Sequence, residues 1–95
     1  LDKVIHERAR LAIVAALAAV EDMTFIELKD AAGMTDGNLS VHARVLESSG
    51  YVAIAKRFVG LKPQTSLSLT PSGRAAFRRY LDQLERIVAR GRRPR

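Results

Sequence analysis

The sequence has no cysteine and no tryptophan, and only 5% of its residues are aromatic. Without cysteine there is no disulfide framework, no thiolate nucleophile and no cysteine-based zinc site. Residues 11–20 form the longest apolar run, which is too short to cross a bilayer, and its small residues suit a buried helix. We therefore expect a cytoplasmic protein with no membrane partner. Because the chain starts at Leu1 and not at Met, we also expect that some N-terminal sequence is missing.

The residue groupings that support catalysis are missing as well. The sequence shows no paired carboxylates, no histidine beside a candidate nucleophile and no phosphate-binding loop. We therefore expect no enzymatic activity and no cofactor. His6, Glu7, Asp82 and Glu85 could meet across a dimer, but we expect no metal site.

Positive charge is in excess, with 16 Lys and Arg against 10 Asp and Glu and a net charge of +6. Such a balance favours a polyanionic partner, most often nucleic acid, although anionic membrane surfaces attract the same charge. A membrane-surface helix also needs aromatic anchors, and the arginine-rich C-terminal region fits that description only loosely. Its arginines either cover a solvated helix face or bind a polyanion. They are Arg74, Arg78, Arg79, Arg86, Arg90, Arg92, Arg93 and Arg95.

The length of 95 residues suits one domain, and local signals divide it into helices and strands. Apolar spacing predicts a first helix over residues 2–20. Thr24 and Glu27 form a capping box for a short second helix that ends at Gly33. Thr35 begins a third helix, over residues 35–49. Two short helices joined by a tight turn are typical of a helix-turn-helix.

The second half of the chain predicts a hairpin and a long helix. Residues 51–57 and 65–70 have strand patterns, and residues 58–64 are expected to be the loop between them. Thr70 and Pro71 begin a last helix over residues 71–90, followed by a basic tail at residues 91–95. The predicted fold is therefore mostly α with a small β-hairpin wing, in the order α-α-α-β-β-α. A short extra strand is possible before the second helix.

The third helix has two different faces. Leu39 points towards the core, and Val41 and Arg44 lie on the opposite side. In a major groove, Asn38 suits the edge of adenine, Arg44 suits guanine or a phosphate, and Val41 suits a thymine methyl group. Gly37 either allows close approach to DNA or packs against the preceding helix.

His42 lies at the boundary of this core face. A catalytic role would need an oriented partner and a nucleophile or substrate pocket, and its neighbourhood in the sequence offers none. Two interpretations of His42 remain: a hydrogen bond that packs or caps a helix, or a contact with a DNA phosphate. A phosphate contact would strengthen as the pH falls.

The segments TDGNLSVHARVLESSGYV, KRFVGLKPQTSLSLT and TPSGRAAF resemble the short, stand-alone winged-helix transcriptional regulators of the MarR/ArsR-like group. The resemblance implies a recognition helix at residues 35–49, a wing at residues 56–65, and binding of pseudo-palindromic double-stranded DNA by a homodimer. Leu61 takes a place where relatives often carry a basic residue, which weakens the expectation that the wing enters the minor groove. The residues expected to contact DNA are Thr35, Asp36, Gly37, Asn38, Ser40, Val41, His42, Arg44, Lys56, Arg57, Lys62, Gln64 and Thr65.

The first and last helices carry more apolar residues than a small domain needs. These residues either form a homodimer interface or cover one another within one chain. The resemblance also allows a small-molecule effector, and a winged helix that binds proteins is the alternative to a DNA-binding function. The residues expected at the dimer interface are Val4, Leu11, Val14, Phe77, Tyr80, Leu81, Leu84, Ile87 and Val88.

Overall fold

A computed structural model describes residues 1–94 of the chain. Its order of elements confirms the predicted winged helix-turn-helix, including the short extra strand. Three strands form one antiparallel sheet in the order β1-β3-β2, and helices pack on one side of it. Arg95, the last residue of the predicted tail, lies outside the described residues. The elements are α1 (Arg8–Ala18), β1 (Met23–Thr24), α2 (Phe25–Ala32), α3 (Asp36–Ser48), β2 (Val52–Val59), β3 (Lys62–Leu69) and α4 (Pro71–Gly91).

Threonine side chains begin three of the helices, as the sequence predicts. The Thr24 hydroxyl accepts a hydrogen bond from the Glu27 amide at 3.1 Å, and the Glu27 carboxylate accepts from the Thr24 amide, which completes the capping box. The Thr35 hydroxyl accepts from the third amide of α3, and the Thr70 hydroxyl accepts from the third amide of α4. These local hydrogen bonds fix the residue at which each of the three helices begins.

The predicted first helix is wrong over residues 2–7. Asp2 accepts hydrogen bonds from the amides of Val4 and Ile5 and closes a turn, and Glu7 caps α1 at its N-terminus. Short acidic side chains of this kind offer the backbone an alternative to helical hydrogen bonds. Ile5 is nevertheless fully buried. Its position in the apolar pattern therefore reflects a buried side chain on a turn, and not one on a helix.

The hairpin is longer and its loop shorter than predicted. Val59 pairs with Lys62, so β2 and β3 are joined by a turn of only two residues, Gly60 and Leu61. Gly60 has a φ of 64°, and Leu61 has a negative φ, which fits a type II′ turn. Residues 58–64, predicted as a loop, therefore belong mostly to the sheet.

The main core lies between α1, α2, α3 and the sheet, and Ile5 and Tyr80 form a smaller cluster where α4 begins. Val14 is 0% exposed and Tyr80 is 1% exposed. The prediction that these two residues contact a second copy is wrong, because the core of a single chain already covers them. The residues of the main core are Ile13, Val14, Leu17, Leu28, Leu39, Ala43, Leu46, Val52, Leu67 and Leu69.

The start of α4 is held tightly against the junction between α3 and β2. The Thr70 amide donates to the Tyr51 carbonyl at 3.0 Å, and the Thr70 hydroxyl donates to the Gly50 carbonyl at 2.6 Å. A β-carbon on Gly73 would overlap the Tyr51 carbonyl group. Glycine at this position therefore allows the close approach that fixes the direction of α4.

Arg74 connects α4 with the end of α1. Its guanidinium donates to the Ala18 carbonyl at 3.3 Å and to the Val20 carbonyl at 2.8 Å. The last carbonyls of a helix lack partners within the helix, and a cation near them is favourable. Arg74 is thus a structural residue, unlike the exposed arginines further along α4.

Candidate nucleic-acid interface

α3 has one buried face and one exposed face, as the sequence predicts. Leu39, Ala43 and Leu46 are buried in the core. Gly37, Asn38, Ser40, Val41 and Arg44 are exposed, and the Val41 side chain is 61% exposed. The outward face therefore combines small side chains, an amide, one aliphatic group and one guanidinium.

Gly37 faces open space. A β-carbon added to Gly37 would have no atom within 4 Å, so the structure shows no close contact between this residue and the preceding helix. Gly37 was expected either to allow close approach to DNA or to pack against the preceding helix, and this geometry fits close approach to a partner outside the chain. Nothing within residues 1–94 requires glycine there.

The first turn of α3 contains an acidic residue that is paired within the chain. An Asp36 carboxylate oxygen lies 3.0 Å from the Lys29 ammonium on α2, and the Asp36 side chain is 75% exposed. The pair offsets the negative charge that Asp36 would otherwise present to a phosphate. The Thr35 hydroxyl, also predicted to contact DNA, is occupied in capping α3.

His42 faces α1 and not the outward side of α3. Its Nδ1 lies 3.3 Å from the Arg10 guanidinium and 3.6 Å from the Glu7 carboxylate. Hydrogen bonds from the backbone amides of Arg10 and Ala9 lower the pKa of Glu7, and the nearby His42 and Arg10 add to the effect. These contacts support the interpretation that His42 packs α3 against α1.

An open cleft of about 690 Å³ separates α3 from the sheet. It brings together four residues that were predicted separately on the recognition helix and the wing: Ser40, Arg44, Lys56 and Thr65. Phe25, Ala43, Glu47, Ser48, Ile54 and Leu67 complete its walls. The cleft therefore has an apolar floor with cations from both elements at its sides.

The remaining predicted wing residues do not line this cleft. Strand register pairs Lys56 with Thr65, but it pairs Arg57 with Gln64 on the opposite face of the hairpin. The Arg57 guanidinium donates to the Gln64 amide oxygen at 3.4 Å. Lys62 lies near the tip on that second face, opposite Val59. The wing thus presents cations on both of its faces.

Among the six cleft residues that were not predicted to contact DNA, Glu47 and Phe25 change the character of the site. Glu47 lies one helical turn after Arg44, so the helical spacing could have identified it, and it places a carboxylate at one end of the cleft. Phe25 comes from the first turn of α2 and has no local signal in the sequence, because only the tertiary packing brings it here.

Two further kinds of feature, a metal site and a membrane-spanning helix, are not found among the described residues. Among residues 1–94, no three His, Asp or Glu side chains come close enough together to hold a metal ion. None of the helices in this part of the chain is both long enough and apolar enough to pass through a bilayer.

A helix-turn-helix followed by a β-hairpin and a terminal helix defines the winged-helix class of DNA-binding domains. Residues 9–88 match the family model described as a winged helix DNA-binding domain, and the chain belongs to this family. It is also 33% identical over 82 residues to an uncharacterized protein of Methanocaldococcus jannaschii, across 86% of this chain and 89% of that protein.

Solved structures extend the comparison to transcriptional regulators. A transcriptional regulator homologue from Pyrococcus horikoshii OT3 matches with a TM-score of 0.90 and 26% identity, over 97% of this chain and 91% of that chain. A protein described as a MarR-family transcriptional regulator, from Enterococcus faecalis V583, matches with a TM-score of 0.71 and 27% identity, over 93% and 76% of the two chains. Family and fold together support a DNA-binding transcriptional regulator similar to the MarR group, a class of transcription factors that are generally not enzymes.

Proposed function

We propose that this protein binds a specific double-stranded DNA sequence as a homodimer, with α3 in the major groove and the β2–β3 hairpin along the backbone. The observation that carries the proposal is the outward face of α3, because it continues directly into a cleft with cations on both sides. A major groove of B-DNA is about as wide as a helix, and phosphates attract the flanking cations.

Three side chains on α3 supply the base contacts of the proposal. The Asn38 amide can form a pair of hydrogen bonds with adenine, and the Arg44 guanidinium can do the same with guanine. Val41 is exposed between them and suits the methyl group of thymine. Gly37 leaves the first turn of α3 free to approach the base edges.

The cleft supplies the contacts to one DNA strand. Lys56 lines the cleft from the wing and Thr65 adds a hydroxyl donor, while Arg44 on the opposite side is proposed to reach the base edges. Contacts of this kind fix the position of a protein on DNA without reading its sequence. Because the Glu47 carboxylate repels phosphate, we expect the strand to pass nearer the Ser40 end of the cleft.

The dimer contact is proposed on α4, which carries an exposed apolar stripe. Leu81, Ile87 and Val88 are 45%, 50% and 43% exposed, and Leu84 and Phe77 are partly covered. Val4 and Leu11 are half-buried and add to the same proposed interface. The stripe extends along a 21-residue helix that packs on the body of the domain through its first turns. An unpartnered stripe of this kind marks an interaction surface.

A gel-shift titration tests the proposal. Duplexes are first selected from a random pool with the purified chain, and binding of a selected duplex is then compared with a scrambled duplex between 50 and 200 mM salt, where several phosphate contacts cost about 10³-fold or more in affinity. We expect a strong preference for the selected duplex and a steep loss with salt. Absence of duplex binding at low salt would exclude the proposal, and recovery of a protein partner instead would favour the interaction-module alternative.

A small-molecule effector remains a further proposal. The cleft between α3 and the sheet has an apolar floor of Phe25, Ile54 and Leu67 and is large enough for a small organic molecule. A molecule bound there would compete with DNA for Arg44 and Lys56, so an effector would weaken binding to the selected duplex.

A further inference from the structure

The tip of the wing is apolar. Phe58 is 75% exposed, Val59 is 55% exposed and Leu61 is 97% exposed. These residues, with Gly60, Lys62 and Pro63, form a segment that we call the wing tip, residues 58–63. Neighbouring exposed apolar groups of this kind mark a place where a partner binds.

The wing tip is a defined structure and not an irregular loop. Phe58 pairs with Pro63 and Val59 pairs with Lys62, so the ladder reaches the two-residue turn. The register places Phe58 and Pro63 on the same face as Lys56, the face that lines the cleft beside α3. Leu61 stands at the end of the hairpin, about 13 Å beyond Lys56 at the usual rise of a strand.

The charges around the wing tip indicate which partner it meets. Lys56, Arg57 and Lys62 flank the apolar residues, and no Asp or Glu occurs between Glu47 and Asp82. An apolar tip with cations on both of its faces suits a minor groove, which has stacked bases at its floor and phosphates along both edges.

We propose that the wing tip is an apolar wedge for DNA. Leu61, supported by Phe58, enters the minor groove beside the site read by α3 and partly separates two stacked base pairs. Insertion of apolar side chains between base steps bends the duplex towards the major groove, and the bend brings the backbone closer to Lys56 and Arg57. This inference rests on the proposed function and adds a specific role for the wing.

The wedge also predicts a form of sequence preference. Pyrimidine–purine steps such as TA and CA unstack and kink more readily than other steps. Selected duplexes should therefore contain such a step at a fixed distance from the bases that Asn38 and Arg44 contact. The preference would arise at a position that α3 does not reach.

Fluorescence of the bound duplex tests the wedge. The probe is a selected duplex with 2-aminopurine at the step next to the site and a donor–acceptor dye pair at its ends. Binding of the unaltered chain should raise the 2-aminopurine emission, because the base loses stacking, and should shorten the dye separation. Leu61→Ser should abolish both changes and weaken binding about 5- to 50-fold, a range consistent with the loss of one or two good contacts.

Matched variants separate the wedge from other effects. Ile26→Ser removes an apolar residue that is 67% exposed on α2, outside the wing tip, and should leave both signals unchanged. Leu61→Ser removes no charge, but without the bend the backbone lies further from Lys56 and Arg57, so the affinity should depend slightly less on salt. Its thermal unfolding should also match that of the unaltered chain, because Leu61 is almost fully exposed.

Each contrary result has a distinct meaning. If the unaltered chain binds the selected duplex but neither fluorescence signal changes, the wedge is excluded and the proposed function stands. If the chain binds no duplex at all, both proposals fail. If Leu61→Ser leaves DNA binding intact but abolishes self-association in light scattering, or binding to vesicles of equal phosphatidylglycerol and phosphatidylcholine, the wing tip has another partner and the wedge is overturned.

Discussion

Two glycines at the starts of helices have opposite roles in this structure. A side chain on Gly73 would overlap the Tyr51 carbonyl group, whereas a side chain on Gly37 would meet open space. Glycine in a helix reduces its stability, so its presence at an unconstrained position such as Gly37 needs a reason outside the fold. In our proposal that reason is close approach to DNA.

Gly37→Ala should change stability and binding in opposite directions. Replacing glycine by alanine stabilises the folded state by up to about 0.5–1 kcal/mol, the value for the middle of a helix, while the added methyl group would impede entry of α3 into the groove. We expect a higher midpoint of urea unfolding together with several-fold weaker binding to the selected duplex. Unchanged affinity in the more stable variant would show that the first turn of α3 does not approach the bases.

Gly73→Ala should destabilise the domain. The new β-carbon would force the first turn of α4 away from Tyr51, and over-packing of this kind costs about 1–3 kcal/mol. Urea unfolding measures the loss. Gly91→Ala is the control, because Gly91 has open space around it near the other end of the same helix. Equal stability of the two variants would contradict the close contact.

Arg44 and Lys62 should differ in what their loss does to DNA binding. Arg44→Ala removes a proposed base contact and should reduce discrimination between selected and scrambled duplexes by about 1–3 kcal/mol. Lys62→Ala removes a proposed phosphate contact and should weaken binding to both duplexes alike, with a salt slope lower by about 1. Titrations of both duplexes at several salt concentrations distinguish the two patterns, and identical patterns would refute the assignment.

At the scale of elements, the N-terminal turn connects three parts of the fold. The Tyr51 hydroxyl donates to the Asp2 carboxylate at 2.5 Å, His6 lies 2.8 Å from the Tyr80 hydroxyl, and Glu7 contacts His42 on α3. Burial opposes ionisation of Asp2, but hydrogen bonds from Tyr51 and from backbone amides outweigh it and lower the pKa of Asp2. Its hydrogen bond to Asp2 raises the pKa of Tyr51.

These shifts predict how stability changes with pH. A lowered carboxyl pKa stabilises the folded state above the unfolded values of 3.8 for Asp2 and 4.5 for Glu7, and this contribution is lost as the pH falls through the folded values. Asp2→Asn should cost about 1–2 kcal/mol at pH 7 and should make the acid decline shallower. Urea unfolding from pH 3 to 7 measures both. An equally steep decline in the variant would contradict the contribution of Asp2.

Local signals in the sequence predicted the beginnings of three of the four helices well and tertiary contacts poorly. Thr24, Thr35 and Thr70 cap helices through residues three positions away, so the sequence contains the whole interaction. By contrast, the same apolar spacing suits a helix or a buried turn around Ile5, and only the structure decides between them. The strand patterns predicted the hairpin, but the sequence did not show that pairing continues to Val59 and Lys62.

For the candidate site too, the sequence predicted the local features and missed the contacts between distant parts of the chain. The helical period alone separated the outward and core faces of α3. The direction of His42 depends on where α1 packs, and the contribution of Phe25 to the cleft depends on where α2 begins relative to the sheet. Contacts between distant parts of the chain have no local pattern, so the sequence could not predict them.

At the scale of the whole molecule, the domain measures 62 × 25 × 20 Å and α4 is the longest of its described helices. Much of its apolar stripe stays exposed in one chain, which leads to the proposed homodimer. Ile87→Glu should convert the dimer to a monomer in light scattering, because it places a charge in an apolar contact. Ile26→Glu alters an exposed apolar residue outside α4 and should leave the mass unchanged. A monomeric mass for the unaltered chain at micromolar concentration would exclude the dimer.

Chemical footprinting of a selected duplex tests the central claim most directly. Dimethyl sulfate modifies guanine N7, which faces the major groove, and hydroxyl radicals report on the backbone. A dimer with one α3 in each half-site should protect guanine N7 in two clusters about one helical turn, or a multiple of it, apart. Arg44→Ala should remove that protection and leave the backbone protection in place. Backbone protection without any N7 protection in the unaltered complex would contradict the placement of α3 in the major groove.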